Sequence, residues 1–424
     1  MKIPAVTPAS DKPALLLLIP NLGLGGAQRV FADHANFLAG TYKVTECIFN
    51  LNQAGDYHTD NELCELAVPG GGGPLAKIQH FVSRCIRLRK LKQVRQVTVA
   101  ISHLEGADYV NVLSGMGEQR VICVHGSKLH DRNMRGVTGW MRQRVLIPLL
   151  YRQAARIVTV SMGIRDELVK GLGLPASKVQ VINNFFDDVS IRAQTAAVLP
   201  APYAEIMASF PVLVTAGRFA PEKNLLSLLE VFAQLRQRVP QCRLMLVGQG
   251  EQYLALLERC RTLGLPVHLP EQEDDAAHTA AVFFTGFQRN PHAFVARATV
   301  FVLPSLNEGF PMALGEAMVC GRPVAASDCP TGPREILAPG TAIPSTPLRH
   351  AEWSTYGLLL PVISDPHTRA ADEQVWVDAL VELLATTTAR MRLGELATQR
   401  MQDFTPEKIA QQWLALLNEI RAVN

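Results

Sequence analysis

The stretch ATVFVLPSLNEGFPMALGEAMVCGRPVAAS, Ala298 to Ser327, decides the fold. An apolar run ending at Leu303 reads as a buried strand. A loop follows, a helix starts near Pro311, and Gly321 with Pro323 stops it before the next apolar run. Proline suits a first helical turn because its missing amide has no intrahelical partner there, and glycine supplies the left-handed residue at a helix end. Strand, helix and strand in this order describe a crossover unit of a parallel sheet.

Outward from this unit the pattern repeats. In the first half, Ala14–Pro20, Lys43–Phe49, Val97–Ile101, Arg120–Val124, Arg156–Val160 and Val179–Ile182 are short apolar runs separated by longer amphipathic stretches. In the second half the runs are Pro211–Gly217, Arg243–Val247, Val282–Thr285, Thr299–Leu303, Pro323–Ala326 and Gly357–Pro361. The prediction is an α/β protein of two doubly wound, Rossmann-like domains. A chain of 424 residues is also too long for one ordinary core. Domains are expected at 1–190 and 205–404, joined by a connector within Asn183–Ser209, which lacks a strong period and carries Pro200 and Pro202. The last segment, 405–424, reads as an amphipathic helix with Ile409, Trp413, Leu416 and Leu417 on one face, expected to cross back to the first domain.

With 48% hydrophobic and 19% charged residues the composition is globular. The eight cysteines are scattered, with no C-x-x-C pair, which fits reduced thiols and a cytoplasmic setting. The run Ala14–Pro20 is far too short to span a membrane, and a glycine loop follows it in place of a cleavage site. The net charge of +3 conceals an asymmetry: residues 1–200 hold 23 Lys and Arg against 15 Asp and Glu. No basic-aromatic interleaving or nucleic-acid module accompanies this excess, so an anionic membrane surface is the expected partner, not nucleic acid. Two stretches carry the expectation. One is Phe81–Arg95, with Phe81, Cys85, Leu88 and Leu91 at helical spacing among Arg84, Arg87, Arg89, Lys90 and Lys92. The other is Lys128–Arg156, with Trp140, Leu146, Ile147, Leu149 and Leu150. Ordinary solvated helix faces over a core are the competing reading.

Several strand exits carry chemistry. NLGLGGAQR, Asn21–Arg29, is a glycine turn into a helix expected to bury Val30, Phe31 and Leu38, and Gly25 and Gly26 let its backbone approach an anion. VLVTAGRFAPEKNL, Val212–Leu225, places Arg218 and Lys223 before a helix expected to be capped by Asn224, two cations beside a positive helix end and so a diphosphate site. Gly248 and Gly250 end one strand; Gly286, Phe287 and Asn290 follow another, where a nucleotide base is expected. Glu308 precedes the helix of the opening stretch and Glu316 lies inside it, while the amides of Met312 and Ala313 point forward. Two carboxylates that accept from hydroxyls and two amides that donate to them make a sugar-binding corner. His125 follows a strand of the first half in VICVHGS, where it is a candidate hydroxyl ligand.

Taken together and in order, the Gly25–Gly26 loop, GRFAPEKNL and the acids spaced E-x7-E resemble the family-4 retaining glycosyltransferases of the GT-B fold, over nearly the whole chain. The resemblance implies two Rossmann-like domains facing a central cleft. It also implies transfer of a hexose or N-acetylhexosamine from a nucleotide sugar, a UDP-sugar above all, with no cofactor and no metal. It makes Arg218 and Lys223 the donor diphosphate ligands and Glu316 the ribose ligand. Glu308 and the amides of Phe310, Met312 and Ala313 would hold the transferred sugar, with His125 at its 6-hydroxyl and Gly25 or Gly26 near the phosphates. Where the family often has glycine this chain has Pro311, which removes one amide donor. Asp274 and Asp275 read as a solvated acidic loop, not as metal ligands. The chain looks like several bacterial lipopolysaccharide and polyprenyl-linked glycan transferases. That implies a glycolipid or polyprenyl-diphosphate glycan acceptor and a peripheral place on the inner face of the cytoplasmic membrane. A soluble sugar or protein acceptor, and a sugar-binding protein without catalysis, are the alternatives.

Overall fold

The computed structural model describes residues 12–23, 25–50, 57, 59–131, 136–271, 274–344 and 346–422, with backbone alone for 274–276. The chain divides into two compact units, Met1–Asn184 with Glu407–Asn424, and Phe185–Pro406.

Among the described residues the first unit holds β1 (Ala14–Ile19), β2 (Lys43–Ile48), β3 (Glu62–Glu65), β4 (Val99–His103), β5 (Gln119–Val124), β6 (Arg156–Thr159) and β7 (Val179–Val181). All pair in parallel, in the order β3-β2-β1-β4-β5-β6-β7. Leu15 to Ile19 of β1 are completely or almost completely buried, as a strand covered on both faces requires. The second unit holds β8 (Val212–Ala216), β9 (Arg243–Val247), β10 (Val267–His268), β11 (Val282–Phe284), β12 (Val300–Leu303), β13 (Val324–Ser327), β14 (Glu352–Ser354) and β15 (Gly357–Leu360), in the order β10-β11-β9-β8-β12-β13-β15-β14. All these pairings are parallel except β14 against β15.

Each sheet reverses direction of growth once, between β1 and β4 in the first unit and between β8 and β12 in the second. Ligands of open α/β sheets bind outside the carboxyl ends of the strands flanking such a reversal. The decisive loops are therefore those leaving β1, β4, β8 and β12.

The segment 183–209, expected as a connector, instead carries helices Asp188–Thr195 and Tyr203–Ser209, and the chain passes between units at 184/185 and 406/407. The first of these helices buries only Ile191, so no apolar period marks it. Asp187 caps it by accepting from the Ser190 amide at 2.9 Å. The helix Pro406–Ala422 buries Ile409, Trp413, Leu416, Leu417 and Ile420 within the first unit. There the Trp413 ring meets His34 edge-on at 4.6 Å, and Glu419 pairs with Arg156.

The basic stretch at 81–95 needs a correction. It belongs to a helix, Pro74–Val94, whose Phe81, Cys85, Leu88 and Leu91 face the core. The apolar residues this helix exposes are Leu75, Ile78, Val82 and Ile86, spaced by three and four, and Val94 at its end. Several of the expected surface cations are also committed inward. Arg84 donates to the Val68 and Pro69 carbonyls and Arg87 to those of Leu66 and Ala67. Lys92 is buried against Glu118 at 2.6 Å. Lys77, Arg89 and Lys90 remain exposed. In the second stretch Ile147 and Leu150 are buried, whereas Val137, Trp140, Met141, Val145 and Leu149 are exposed. Its residues 132–135 lie outside the described set.

Candidate functional site

In the second unit the loop after β8 turns through Gly217 and Arg218 into a short turn, Pro221–Lys223, ahead of the helix Leu225–Arg238. Asn224 occupies the position before that helix in a left-handed conformation, φ 53° and ψ 34°. Its side chain does not cap the helix as expected. Nδ2 donates to the Ile363 carbonyl at 3.0 Å, and Oδ1 accepts from Ser227 Oγ at 2.9 Å. The left-handed backbone carries the amide group away from the first-turn N–H groups, so it ties the loop to a neighbouring segment.

The loop after β12 comes back across this one. The Leu306 amide donates to the Glu222 carbonyl at 2.8 Å. Lys223 Nζ lies 2.7 Å from Glu308 Oε1, and Ser305 Oγ donates to the same oxygen at 2.6 Å. The Thr331 hydroxyl holds the Glu308 main-chain carbonyl. Glu308 is nearly buried, its side chain 9% exposed, and Lys223 covers it. A carboxylate taken out of water survives when its oxygens are paired. Arg218 is more exposed and pairs with Glu222 at 2.7 Å.

The helix Met312–Val319 starts one residue later than the sequence suggested. Pro311 is extended, φ −71° and ψ 101°, and its carbonyl accepts from the Leu314 and Gly315 amides at 3.2 and 3.3 Å. Its missing amide therefore lies outside the helix. Met312 and Ala313 open the first turn, where no preceding residue supplies an intrahelical acceptor. Phe310 is buried against Phe186 and Phe404, with ring centroids 6.1 and 5.2 Å away. Phe186 also fills the space beside Gly315, where an added Cβ would meet its ring at 2.1 Å. Glu316, four residues into the helix, has its Oε2 3.5 Å from Nε2 of buried His292, whose Nδ1 lies 3.0 Å from Gln194 Oε1.

Gly248 and Gly250 have a packing reason. A Cβ on Gly248 would lie 2.0 Å from the Gly217 carbonyl oxygen, and one on Gly250 2.6 Å from the Phe219 backbone. The Gly248 amide donates to the Gly286 carbonyl at 3.0 Å, so that amide is already engaged. Phe287 stands partly exposed in the next loop, and Asn290 donates to the Gln194 carbonyl. The second unit thus gathers Lys223, Glu308 and the start of the 312–319 helix at its reversal point, while Gly248 and Phe287 belong to loops after β9 and β11. Of Asp274 and Asp275 only the backbone, a tight helical turn, is described.

In the first unit Gly25 precedes the helix Gly26–Leu38 in an extended conformation, and the buried residues of that helix include Val30, Phe31, His34 and Leu38. His125 follows β5, half-buried, with Nε2 2.8 Å from Nδ1 of His103, the buried last residue of β4. Leu104, next in the chain, has φ +72°, a strained value for a branched-chain residue at a strand exit. Burial, with Lys128 nearby, holds the His125 imidazole down at about 3, and burial lowers His103 well below its ordinary value. Both rings are neutral at physiological pH. The loop after His125 is fixed by buried Glu167, which accepts from Ser127 Oγ at 2.8 Å and from the Lys128 and Leu129 amides.

Ser305, Thr331, His292, His103 and Glu167 escaped sequence reading. Ser305, Thr331, His292 and His103 each contact a candidate residue, and Glu167 holds the loop after His125; Ser305 apart, the partners lie more than twenty residues from one another in sequence, and no local motif announces such contacts. Strand-exit position was the available signal for His103 and Ser305.

Two family models match in tandem: Glycosyltransferase Family 4 over residues 24–189 and Glycosyl transferases group 1 over residues 210–352. The chain is a family-4 glycosyltransferase. This glycosyltransferase is 26% identical over 249 residues to the uncharacterized glycosyltransferase MJ1059 of Methanocaldococcus jannaschii, a match spanning 57% of this chain and 58% of that one. It is 23% identical to the N-acetylgalactosamine-N,N'-diacetylbacillosaminyl-diphospho-undecaprenol 4-alpha-N-acetylgalactosaminyltransferase of Campylobacter jejuni, over 76% and 82% of the two chains. To the amylovoran biosynthesis glycosyltransferase AmsD of Erwinia amylovora it is 22% identical over 95% and 99%. Among solved structures, Anabaena Alr3699/HepE in complex with UDP and glucose superimposes with a TM-score of 0.72 at 18% identity, over 96% and 99%. The two doubly wound sheets of the glycosyltransferase are those of the GT-B fold.

Proposed function

We propose that this glycosyltransferase moves a hexose or N-acetylhexosamine from a UDP-sugar to a membrane-linked glycan, with retention and without a metal, in the synthesis of a lipopolysaccharide, O-antigen or related surface polysaccharide. The observation that carries the reading is the Lys223–Glu308 pair at the reversal point of the second sheet, beside the first-turn amides of Met312 and Ala313. A nucleotide sugar presents a diphosphate to cations and hydroxyls to carboxylates and amides, and this corner offers both within one hydrogen-bonded set.

In this mechanism Lys223, with Arg218 swung from Glu222, takes up charge that develops on the leaving diphosphate. Fixed cations in a partly buried site need no reorganisation as that charge appears. The acceptor hydroxyl attacks from the face the diphosphate leaves. Glu308 orients the sugar and is no covalent nucleophile, since Lys223 and Ser305 already hold one of its oxygens. Glu316 accepts from the ribose hydroxyls, and His125, neutral, serves a sugar hydroxyl.

The relatives support the donor and acceptor classes. One is named for a diphospho-undecaprenol acceptor, one for amylovoran biosynthesis, and the solved neighbour holds UDP and glucose. No helix among the described residues is long and apolar enough to cross a membrane. The exposed stripe Leu75, Ile78, Val82 and Ile86, with Lys77, Arg89 and Lys90 beside it, is the surface that favours an anionic bilayer.

The test is a panel of sugar nucleotides incubated with the protein and a membrane extract as acceptor source. Release of UDP from one uridine-linked donor, dependent on the extract and with the anomeric configuration kept in the product, is the expected result. Release from no donor, or only with a water-soluble acceptor, overturns the reading.

A further inference from the structure

The exits of β4 and β5 carry a cluster that the proposed transfer uses only through His125. His103, Cys123 and His125 place a ligand atom each within 4.8 Å of one another, the one such convergence of His, Cys and carboxylate groups among the described residues. The sheet builds it. His103 on β4 stands in register with Cys123 on β5, and His125 follows Cys123 by two, so all three project to the same face. Residues this far apart in sequence form no motif, which is why the sequence suggests no metal site.

The two imidazoles lie edge to edge, with ring planes 21° apart, centroids 5.0 Å apart and His103 Nδ1 facing His125 Nε2 at 2.8 Å. Two neutral rings facing nitrogen to nitrogen share one proton between two lone pairs. An ion replaces that proton by opening the gap slightly, since tetrahedral bonds of about 2.0–2.3 Å set ligand atoms roughly 3.3–3.8 Å apart. The buried Nε2 of His103 has no hydrogen-bond partner and is free to take the displaced proton. The third donor is a buried thiol, and thiol with imidazole is the donor set that selects zinc-class and cuprous ions over magnesium or calcium. His125 is the one member of the three that is not fully buried, which gives an ion a way in and leaves a fourth position for water.

We propose that His103, Cys123 and His125 bind one zinc-class ion, and that its binding removes the His125 imidazole from service as a hydroxyl ligand. The inhibitory half rests on the role given to His125 under Proposed function; the binding half does not. Charge and protons balance: the Cys123 thiol loses its proton to solvent as sulfur bonds the ion, and the shared imidazole proton moves to another ring nitrogen. One proton is released per ion.

The purified, reduced full-length chain is titrated with Co2+, which reports thiolate ligation by near-ultraviolet charge transfer and tetrahedral geometry by visible bands. Expected are one Co2+ per chain, displacement by Zn2+, about one proton released, and affinity weakened by roughly tenfold or more in Cys123→Ser and in His103→Gln. Melting temperatures check folding, and His125→Asn, at a partly exposed position, provides a third variant if the buried substitutions unfold. No charge-transfer band, or a band that survives Cys123→Ser, overturns the site. In a second arm, Zn2+ is added to the sugar-nucleotide release assay. Inhibition relieved by a chelator and absent in Cys123→Ser supports the inhibitory half. Zn2+ bound at the site with release unchanged overturns that half and leaves the transferase reading standing.

Discussion

Lys223 Nζ and Glu308 Oε1 lie 2.7 Å apart, and the two residues come from the two loops that flank the reversal of the second sheet. Each neutralises the other, so neither charge is left unpaired in a half-covered loop. A diphosphate bound beside Lys223, as proposed, would add negative charge to this pair, and the cation would then serve both. Lys223→Met should lower the turnover number for donor cleavage by about 10²–10³-fold, the usual effect of losing one preorganised group that stabilises developing charge. Glu308→Gln keeps an acceptor for Ser305 but loses the charge that holds Lys223, and a fall in turnover of at least about tenfold is expected. Steady-state nucleotide release at saturating donor checks both, and wild-type rates in both remove the pair from the mechanism.

The sequence displayed the central strands well. Each of the twelve apolar runs overlaps an observed strand. The strands it concealed, β3, β10 and β14, all touch the edges of their sheets. Edge strands are covered less completely, and β3 (ELCE) and β14 (EWS) carry glutamates that break any apolar run. Helix faces misled for a related reason. On Pro74–Val94 both faces are apolar, so periodicity alone did not tell the inward Leu88 from the outward Ile86. Charge misleads as well, since Arg84, Arg87 and Lys92 satisfy groups of their own unit. The candidate residues of the second unit were legible as strand exits, but the contacts that hold them depend on strand order, which only the folded sheet supplies.

The 74–94 helix allows a direct test of the membrane surface. Ile78→Asp with Ile86→Asp changes exposed positions and should leave stability within about 0.5 kcal/mol, while binding to anionic vesicles falls at least about tenfold. Leu88→Asp, at a fully buried position, should instead prevent folding. Vesicle flotation at low and high salt, with thermal melts, separates the cases. Flotation unchanged in the double variant would show that the stripe does not meet lipid.

Gly315 makes a prediction whose sign runs against helix propensity. Alanine in a helix is ordinarily better than glycine by about 1 kcal/mol. Here the added methyl meets the Phe186 ring at 2.1 Å, and Gly315→Ala should destabilise by about 1–3 kcal/mol. The displaced helix also carries Met312 and Ala313, so the Michaelis constant for the donor should rise. Urea unfolding and donor kinetics check this, and Phe186→Leu in the same chain should recover much of the loss through its coupling to residue 315.

His34 gives the pH dependence. Burial first, and then the neighbouring His125, lowers its imidazole to about 3 from an ordinary value of 6.5. Between those values the unfolded chain takes up a proton that the folded one refuses, so stability is lost as pH falls from about 6.5 toward 3. Asp108, raised by burial to about 7 and holding the Ser102 and Tyr151 hydroxyls, works in the opposite sense over part of that window. Comparison with a single variant isolates the histidine. Between pH 7.5 and 5.0 the wild type should lose roughly 2 kcal/mol more than His34→Gln, about 1.4 kcal/mol for each pH unit below 6.5. Denaturant melts at the two pH values measure the difference, and equal losses would contradict the assignment.

The first unit takes its helix Pro406–Ala422 from beyond the whole of the second. Because the Trp413 ring packs on His34, the unit synthesised first cannot complete its interior until nearly the last of the described chain has left the ribosome. Domains ordinarily finish in the order in which they are made. Here the order is inverted: the half proposed to bind the donor is ready first, and the half proposed to meet the membrane waits unfinished for it.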